Sequence, residues 1–415
     1  MSNTATPTSR ILHLGTASVS VNIADQIVIA LVPLLLAAGG ASPFVISVAV
    51  AASSLAWLVV SLPIGALADR VSRRGLVQVG GLLTTAGGAL GWAFLAAGAP
   101  HPGLIAIAAA LTSAGVVMAV LSVFALMPSA VPGAALSRVN ARLELGRALA
   151  ATLAPVLAGA LVTTGRGEIG FLLAAVSGLV ATLAARGLPA EAARPPVKAS
   201  ILASIGEGAR FVVRQPLLRA IAICAVFWNT AFFALIAVMA PHALGVLGLT
   251  VAETARAWSC YGAGLILGAM VAGPLIARSR AGHLFAFGPA MSCLGAALLA
   301  WVAPIYGAPA TYAALFCFGF GPMIWLVLQT TARQLVTPPD HLGRVAATIT
   351  TAIYGVRPIG ALLAGLIAAQ WGTQGAMLAV VALFTASLAA IALSMAVSIG
   401  ALSELRTEQT PAPAH

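Results

Sequence analysis

Asp25 is the one acidic residue placed deep inside a long apolar stretch of this chain, and it is the residue best suited to chemistry there. Ser18, Asn22, Asp25 and Gln26 follow one another at helical spacing, so they form a polar stripe along one side of an otherwise apolar helix. Desolvation disfavours an ionised carboxylate, so a buried aspartate suits a group that takes up a proton on one side of a membrane and releases it on the other. It could equally attract a cationic substrate, or hydrogen-bond a neighbouring helix and merely orient the bundle. Arg357 is the basic counterpart: it lies about three turns into another apolar stretch, with no acid nearby before it. It needs a counter-charge, an anionic ligand or a path along which its head can snorkel to the surface. Glu144 and Arg147 are three residues apart on one helical face, a spacing that favours a local ion pair.

Around these groups stand residues that could shape a cavity. One apolar stretch carries Phe227, Trp228, Asn229, Phe232 and Phe233, another carries Trp325 and Gln329, and Tyr354 lies one turn before Arg357. Aromatic faces suit a large, partly apolar ligand, and the amides of Asn229 and Gln329, with Asn22 and Gln26, avoid lipid. Any single aromatic here could also be helix-packing bulk.

The elements that carry these residues are set by composition. The chain has 415 residues, of which 60% are hydrophobic and 7% charged, and its mean hydropathy is +1.04. A soluble chain would carry about a quarter charged residues. A membrane-spanning helix needs about 20 apolar residues. Spans are expected near 14–38, 44–68, 76–98, 103–127, 143–164, 168–186, 217–245, 254–277, 283–303, 309–333, 346–370 and 374–400. The stretches are continuously apolar and do not alternate, which excludes a lipid-facing β-barrel. The expected fold is therefore an all-α integral membrane bundle.

The net charge of +11 would suggest nucleic acid in a soluble protein. Here Arg166 and Arg256 fall on one side of the membrane, Arg147 and Arg357 within spans, and the other basic residues on the opposite side. That asymmetry predicts cytoplasmic N- and C-termini and contact with anionic lipid, with no nucleic-acid partner. The first span is too long for a signal-peptide core and is expected to be retained. Cys224, Cys260, Cys293 and Cys317 sit singly inside spans, and the six histidines are scattered, so neither disulfides nor a metal site is expected. There is no phosphate-binding Gly-x-x-x-x-Gly-Lys loop. No cofactor is expected, the proton gradient serving as the energy source. Membrane-enzyme chemistry would need clustered acids or histidines, and the sequence has none.

The halves resemble each other at a shift of about 206 to 208 residues: Asn22 matches Asn229, Arg138 matches Arg344 and Gly159 matches Gly365. A shared offset of half the chain points to a six-plus-six duplication. Residues 1–186 and 217–402 are the expected six-helix domains, 187–216 a cytoplasmic linker and 403–415 a disordered tail. Within the linker, Ile201, Leu202, Ile205 and Val212 can share an apolar face, Ser204 and Glu207 offer a capping box, and Pro216 can end the helix. A short helix lying on the membrane surface is expected there.

Between the second and third spans runs Gly65-Ala-Leu-Ala-Asp69-Arg70-Val-Ser72-Arg73-Arg74-Gly75. This stretch resembles the signature loop of the major facilitator superfamily, usually Gly-x-Leu-Ala-Asp-Arg-x-Gly-Arg-Arg/Lys, with Ser72 replacing the inner glycine. The resemblance implies two pseudo-symmetric six-helix domains around a central cavity, and a latching role for the Asp69–Arg70 loop at a cytoplasmic gate. Ala150 to Gly159, with Pro155, resembles a degenerate form of the exporter-associated fifth-helix motif. Leu342-Gly-Arg344-Val-Ala-Ala and Arg357-Pro-Ile-Gly-Ala-Leu-Leu-Ala-Gly365 look like the enterobactin-exporter-like branch, the transmembrane secretion effectors. That branch implies a monomeric bacterial inner-membrane exporter of a drug-like compound, siderophore or secondary metabolite, acting by proton antiport. The arginine-bearing fourth-helix pattern of proton antiporters is absent, since Leu111 to Met127 carries no charge. A uniporter or importer of a small organic solute is the alternative.

Overall fold

The computed structural model describes residues 7–67, 71–98, 100–131, 133–189, 201–338, 341–400 and 405. Among these residues there are helices and no β-strand. The first half holds α1 (Pro7–Ala38), α2 (Pro43–Leu67), α3 (Arg73–Ala96), α4 (Pro102–Ala130), α5 (Gly133–Thr163) and α6 (Gly167–Ala185). Then come α7 (Ile201–Arg214), α8 (Pro216–Gly245), α9 (Val251–Arg278), α10 (Ala281–Ala297), a π-turn at Leu298–Val302 running into α11 (Ala303–Tyr306), α12 (Ala308–Val336) and α13 (Leu342–Ala392).

Eleven described helices are long and apolar enough to cross a membrane, and the last covers two crossings. α13 has 51 residues and is broken where Trp371 leaves helical geometry and Gly372 takes φ 70° and ψ 174°. A positive φ favours glycine, so Gly372 is the joint between the eleventh and twelfth expected spans. The second part of α13 stops at Ala392, short of the expected limit of 400. The chain beyond it turns through Met395–Ser398 and comes back to α10, where Ala281 N donates to Gly400 O at 2.7 Å and Gly282 N to Ile399 O at 3.0 Å. Two N–H groups at the start of α10, which have no partner within their own helix, are satisfied in this way.

The chain divides into two compact units, one of Met1–Lys198 with Ile236–Ser259, the other of Ala199–Leu235 with Cys260–His415. In the first, α1 is the buried centre: Leu14, Ala17, Val21, Ala24, Val28 and Leu31 are all at most 2% exposed. α3 packs backbone to backbone on α6. A Cβ on Gly178 would lie 2.6 Å from Thr85 N and 2.7 Å from Gly81 O, so only glycine permits this approach.

In the second unit, α7 docks on the start of α13 as well as being amphipathic. Glu207 pairs with Arg344 at 2.7 Å, Phe211 stacks on His341 at 5.1 Å between centroids, and Val212 is buried beside Leu217, Val345 and Ile349. Protein, not only the membrane surface, covers part of its apolar face. Ser204 lies within the helix, which starts at Ile201, and so is not its cap. Pro216 begins α8, and Gln215 caps that helix by accepting from Leu218 N at 2.6 Å. Leu405 is buried in the same core, whereas the rest of the expected tail lies outside the described residues.

The α3–α6 contact yields a stability prediction. Gly178→Leu should destabilise the protein by about 1–3 kcal/mol or more, whereas Gly206→Ala, within α7 and meeting nothing within 4 Å, should stabilise it by up to about 1 kcal/mol. Thermal unfolding of detergent-purified protein measures both, and equal melting points would refute the close approach.

Candidate functional site

The candidate groups fall into two clusters, one in each unit. In the first, the apolar helix α1 carries the polar stripe read from sequence. Asp25 is 8% exposed, and its Oδ2 accepts from Gln26 Nε2 at 3.3 Å. Asn22 Nδ2 donates to Ser18 O, one turn back, at 2.8 Å. The candidate span runs 30 residues from Ser9 to Ala38, and Asp25 stands near its middle, where a charge costs about 3 kcal/mol on insertion scales. Glu144 and Arg147 do pair: Arg147 Nε and Nη2 reach Glu144 Oε2 at 2.9 and 2.8 Å. Their side chains are 48% and 34% exposed, so the pair lies on the outside of its helix, close to the start of the candidate span at Arg142.

The second cluster joins α8 to α13. Arg357 Nε donates to Asn229 Oδ1 at 3.2 Å. Asn229 is itself fixed, since its Nδ2 donates to Ala225 O at 2.9 Å, the same turn-back bond that Asn22 makes. The Arg357 guanidinium carbon lies 4.5 Å from the Tyr354 ring centroid and 4.8 Å from that of Phe233. Asn229 and Phe233 are one turn apart on α8, as are Tyr354 and Arg357 on α13, so two short stripes meet. Gly360 lets the helices come together, because a Cβ there would strike the Thr230 carbonyl.

The remaining aromatics continue from this point. Phe232 stacks on Trp228 at 4.8 Å and faces Tyr261 at 5.3 Å. Trp228 Nε1 donates to Ser292 Oγ at 2.9 Å, and the indole lines a small apolar crevice with Cys224, Pro289, Pro322 and Trp325. Phe232 is 7% exposed and Gln329 is 4% exposed; Gln329 Oε1 accepts from Arg333 Nη1 at 3.2 Å. Tyr261 and Arg333 join these networks without having stood out in the sequence. Tyr261 lies in another span at no recognisable spacing, and Arg333 reads as one of many basic residues at a helix end.

At the loop between α2 and α3, Gly65 ends within α2, and Asp69 and Arg70 lie outside the described residues. Arg73 Nη1 donates to Ala125 O at 2.8 Å and Arg74 Nη1 to Leu188 O at 3.4 Å, so both satisfy carbonyls of other segments. Ser72 caps α3 by accepting from Gly75 N at 3.3 Å. In α5, Pro155 is buried, and Gly159 faces Ala255 so closely that a Cβ on it would strike the Ala255 methyl.

The sequence profile of the Major Facilitator Superfamily matches residues 14–361. The chain belongs to the major facilitator superfamily. Among curated members, it is 27% identical over 325 residues to an uncharacterised transporter of this type from Sinorhizobium fredii, covering 75% of this chain and 76% of that one. It is also 27% identical over 314 residues to the enterobactin exporter EntS of Shigella boydii, covering 74% of this chain and 72% of the relative. Solved structures share the fold at low identity. A peptide transporter of the POT family in complex with sulfate has a TM-score of 0.75 at 14% identity, over 96% of this chain and 95% of that one. The nucleoside transporter NupG has a TM-score of 0.69 at 12% identity, over 94% and 99%. The protein is thus a multi-pass membrane transporter of the superfamily.

The superfamily loop yields a test of Ser72, its departure from the usual glycine. As an N-cap, Ser72→Ala should cost about 1 kcal/mol and Ser72→Gly only a few tenths. Thermal melting of the two variants checks this ordering, and an unaffected Ser72→Ala would contradict the cap.

Proposed function

We propose that this transporter exports a small organic molecule across the bacterial cytoplasmic membrane, driven by proton antiport with alternating access. The observation that carries the reading is Asp25, a carboxylate buried near the middle of an apolar span and held through Gln26. An ionisable group at that depth serves transport more readily than stability, because a neutral residue would pack there at lower cost. Gain and loss of a proton at Asp25 would switch its charge during each cycle, and a potential of 100 mV supplies about 2.3 kcal/mol per charge moved. The direction rests on the likeness to an enterobactin exporter and on the Pro155–Gly159 segment of α5. The basic-residue asymmetry supports cytoplasmic termini. The working unit is proposed to be a monomer requiring no cofactor beyond the proton gradient. Asp69 and Arg70 are proposed to latch the cytoplasmic side, alongside Arg73 and Arg74.

Accumulation in everted membrane vesicles tests this reading, with a panel of lipophilic cationic dyes, macrolide-like antibiotics and catecholate siderophores. Wild type should accumulate at least one class only under an imposed proton gradient. Asp25→Asn should reduce that accumulation to the level of empty vesicles while inserting normally. Full gradient-dependent transport by Asp25→Asn would remove Asp25 from the coupling step, and equilibration without accumulation in both proteins would indicate a uniporter.

A further inference from the structure

We propose that the exposed face of α7 and the first turn of α8 form a binding site for the headgroup phosphate of an anionic phospholipid. Arg210, Val213 and Arg214 share one helical face and are all exposed, Val213 at 59%. Arg219, in the first turn of α8, is exposed as well. Among the described residues, no ion pair or side-chain hydrogen bond engages Arg210, Arg214 or Arg219. The carboxylate that α7 itself carries does not neutralise them, because Glu207 is paired with Arg344 of α13 at 2.7 Å. The opposite face of the helix is taken. Gly208 and Val212 are buried there, and a Cβ on Gly208 would lie 2.5 Å from both Arg344 O and Thr348 Oγ1. That close approach holds α7 against α13 and leaves the arginine face for another partner.

The position of this face along the chain identifies the partner. α7 has 14 residues, too few to cross a bilayer. The next candidate span begins at Pro216, just after Arg214 and just before Arg219. The arginines therefore bracket the start of a span, the level at which lipid headgroups lie. A guanidinium presents a planar fork that matches two phosphate oxygens, and Val213 beside Arg210 and Arg214 offers apolar contact to the glycerol and upper acyl chain. A zwitterionic lipid brings an ammonium group to the same cluster, and the arginines repel it. A lone basic residue at the end of a span also favours anionic lipid. The α7 face differs in carrying several guanidinium groups on a helix that is itself fixed in place.

The test is native mass spectrometry of the full-length protein released from detergent micelles. It is titrated with dioleoylphosphatidylglycerol, with dioleoylphosphatidylcholine and with inorganic phosphate. The anionic lipid should bind about tenfold or more tighter than the zwitterionic one. Arg210→Gln/Arg214→Gln should weaken the anionic lipid about tenfold and leave the zwitterionic lipid unchanged. Arg278→Gln/Arg280→Gln removes the same charge from another exposed helix end and should change neither affinity by more than about twofold. Arg214→Gln alone should weaken the anionic lipid about threefold or more, which keeps the test decisive if the double variant does not fold. Equal affinity for the two lipids, an Arg210→Gln/Arg214→Gln affinity within about twofold of wild type, or an equal loss in Arg278→Gln/Arg280→Gln would overturn the proposal. Full displacement of the lipid by inorganic phosphate would make this a site for a soluble anion, and a dimer lost in the double variant would make it a contact between copies. Either result overturns the assignment too. The measurement needs no substrate, gradient or direction of transport, so its outcome is independent of the exporter reading.

Discussion

Charge inside hydrocarbon is the constraint on which the rest of this structure depends. Every ionisable side chain placed at membrane depth must be surrounded by groups that make its charge tolerable, or must lose it. The chain meets that constraint in two different ways. Asp25 sits on the most deeply buried helix of its unit and is held by the neighbouring amide of Gln26. Arg357 has an amide oxygen and two aromatic faces among its contacts. An aspartate can discard its charge by taking a proton, but an arginine cannot. The first is therefore suited to the coupling role proposed for it.

The bundle is built so that these groups can be held. Small residues bring backbones into contact where α3 meets α6, and Gly360 does the same where α13 meets α8. Close backbone approach leaves little room for adjustment, so Asn229 and Arg357 face each other on helices whose spacing is fixed. Asn22 and Asn229, which match at the half-chain offset read from the sequence, both tie their amide nitrogen to the carbonyl one turn back. The same local device supports a carboxylate stripe in one half and a guanidinium in the other.

Much of the fold was legible because membrane helices obey a length and hydropathy rule that each segment satisfies by itself. The break at Trp371–Gly372 lies in the interval left between the last two expected spans, where a glycine could take positive φ. The polar stripe on α1 was legible for the same reason, being local to one helix. What depends on distant segments was not. The amphipathic face of α7 looks the same whether it meets lipid or protein, so its docking through Glu207–Arg344 and Phe211–His341 needed the three-dimensional arrangement. The enclosure of Arg357 by Phe233 brings together residues more than 100 positions apart, with no periodicity connecting them. Ser72 stood out only as a departure from a family pattern, and its capping bond to Gly75 supplies the physical reason for it.

The central claim is that Asp25 changes its protonation state during transport. Infrared difference spectroscopy of the protein in bilayers reads this directly, by following the C=O band of a protonated carboxyl as pH is varied, in wild type and Asp25→Asn. The account predicts a titrating band that is present in wild type, absent in the variant, and altered when a transported compound is added. A wild-type spectrum identical to that of Asp25→Asn at every pH would show that Asp25 holds one protonation state throughout, and would contradict it.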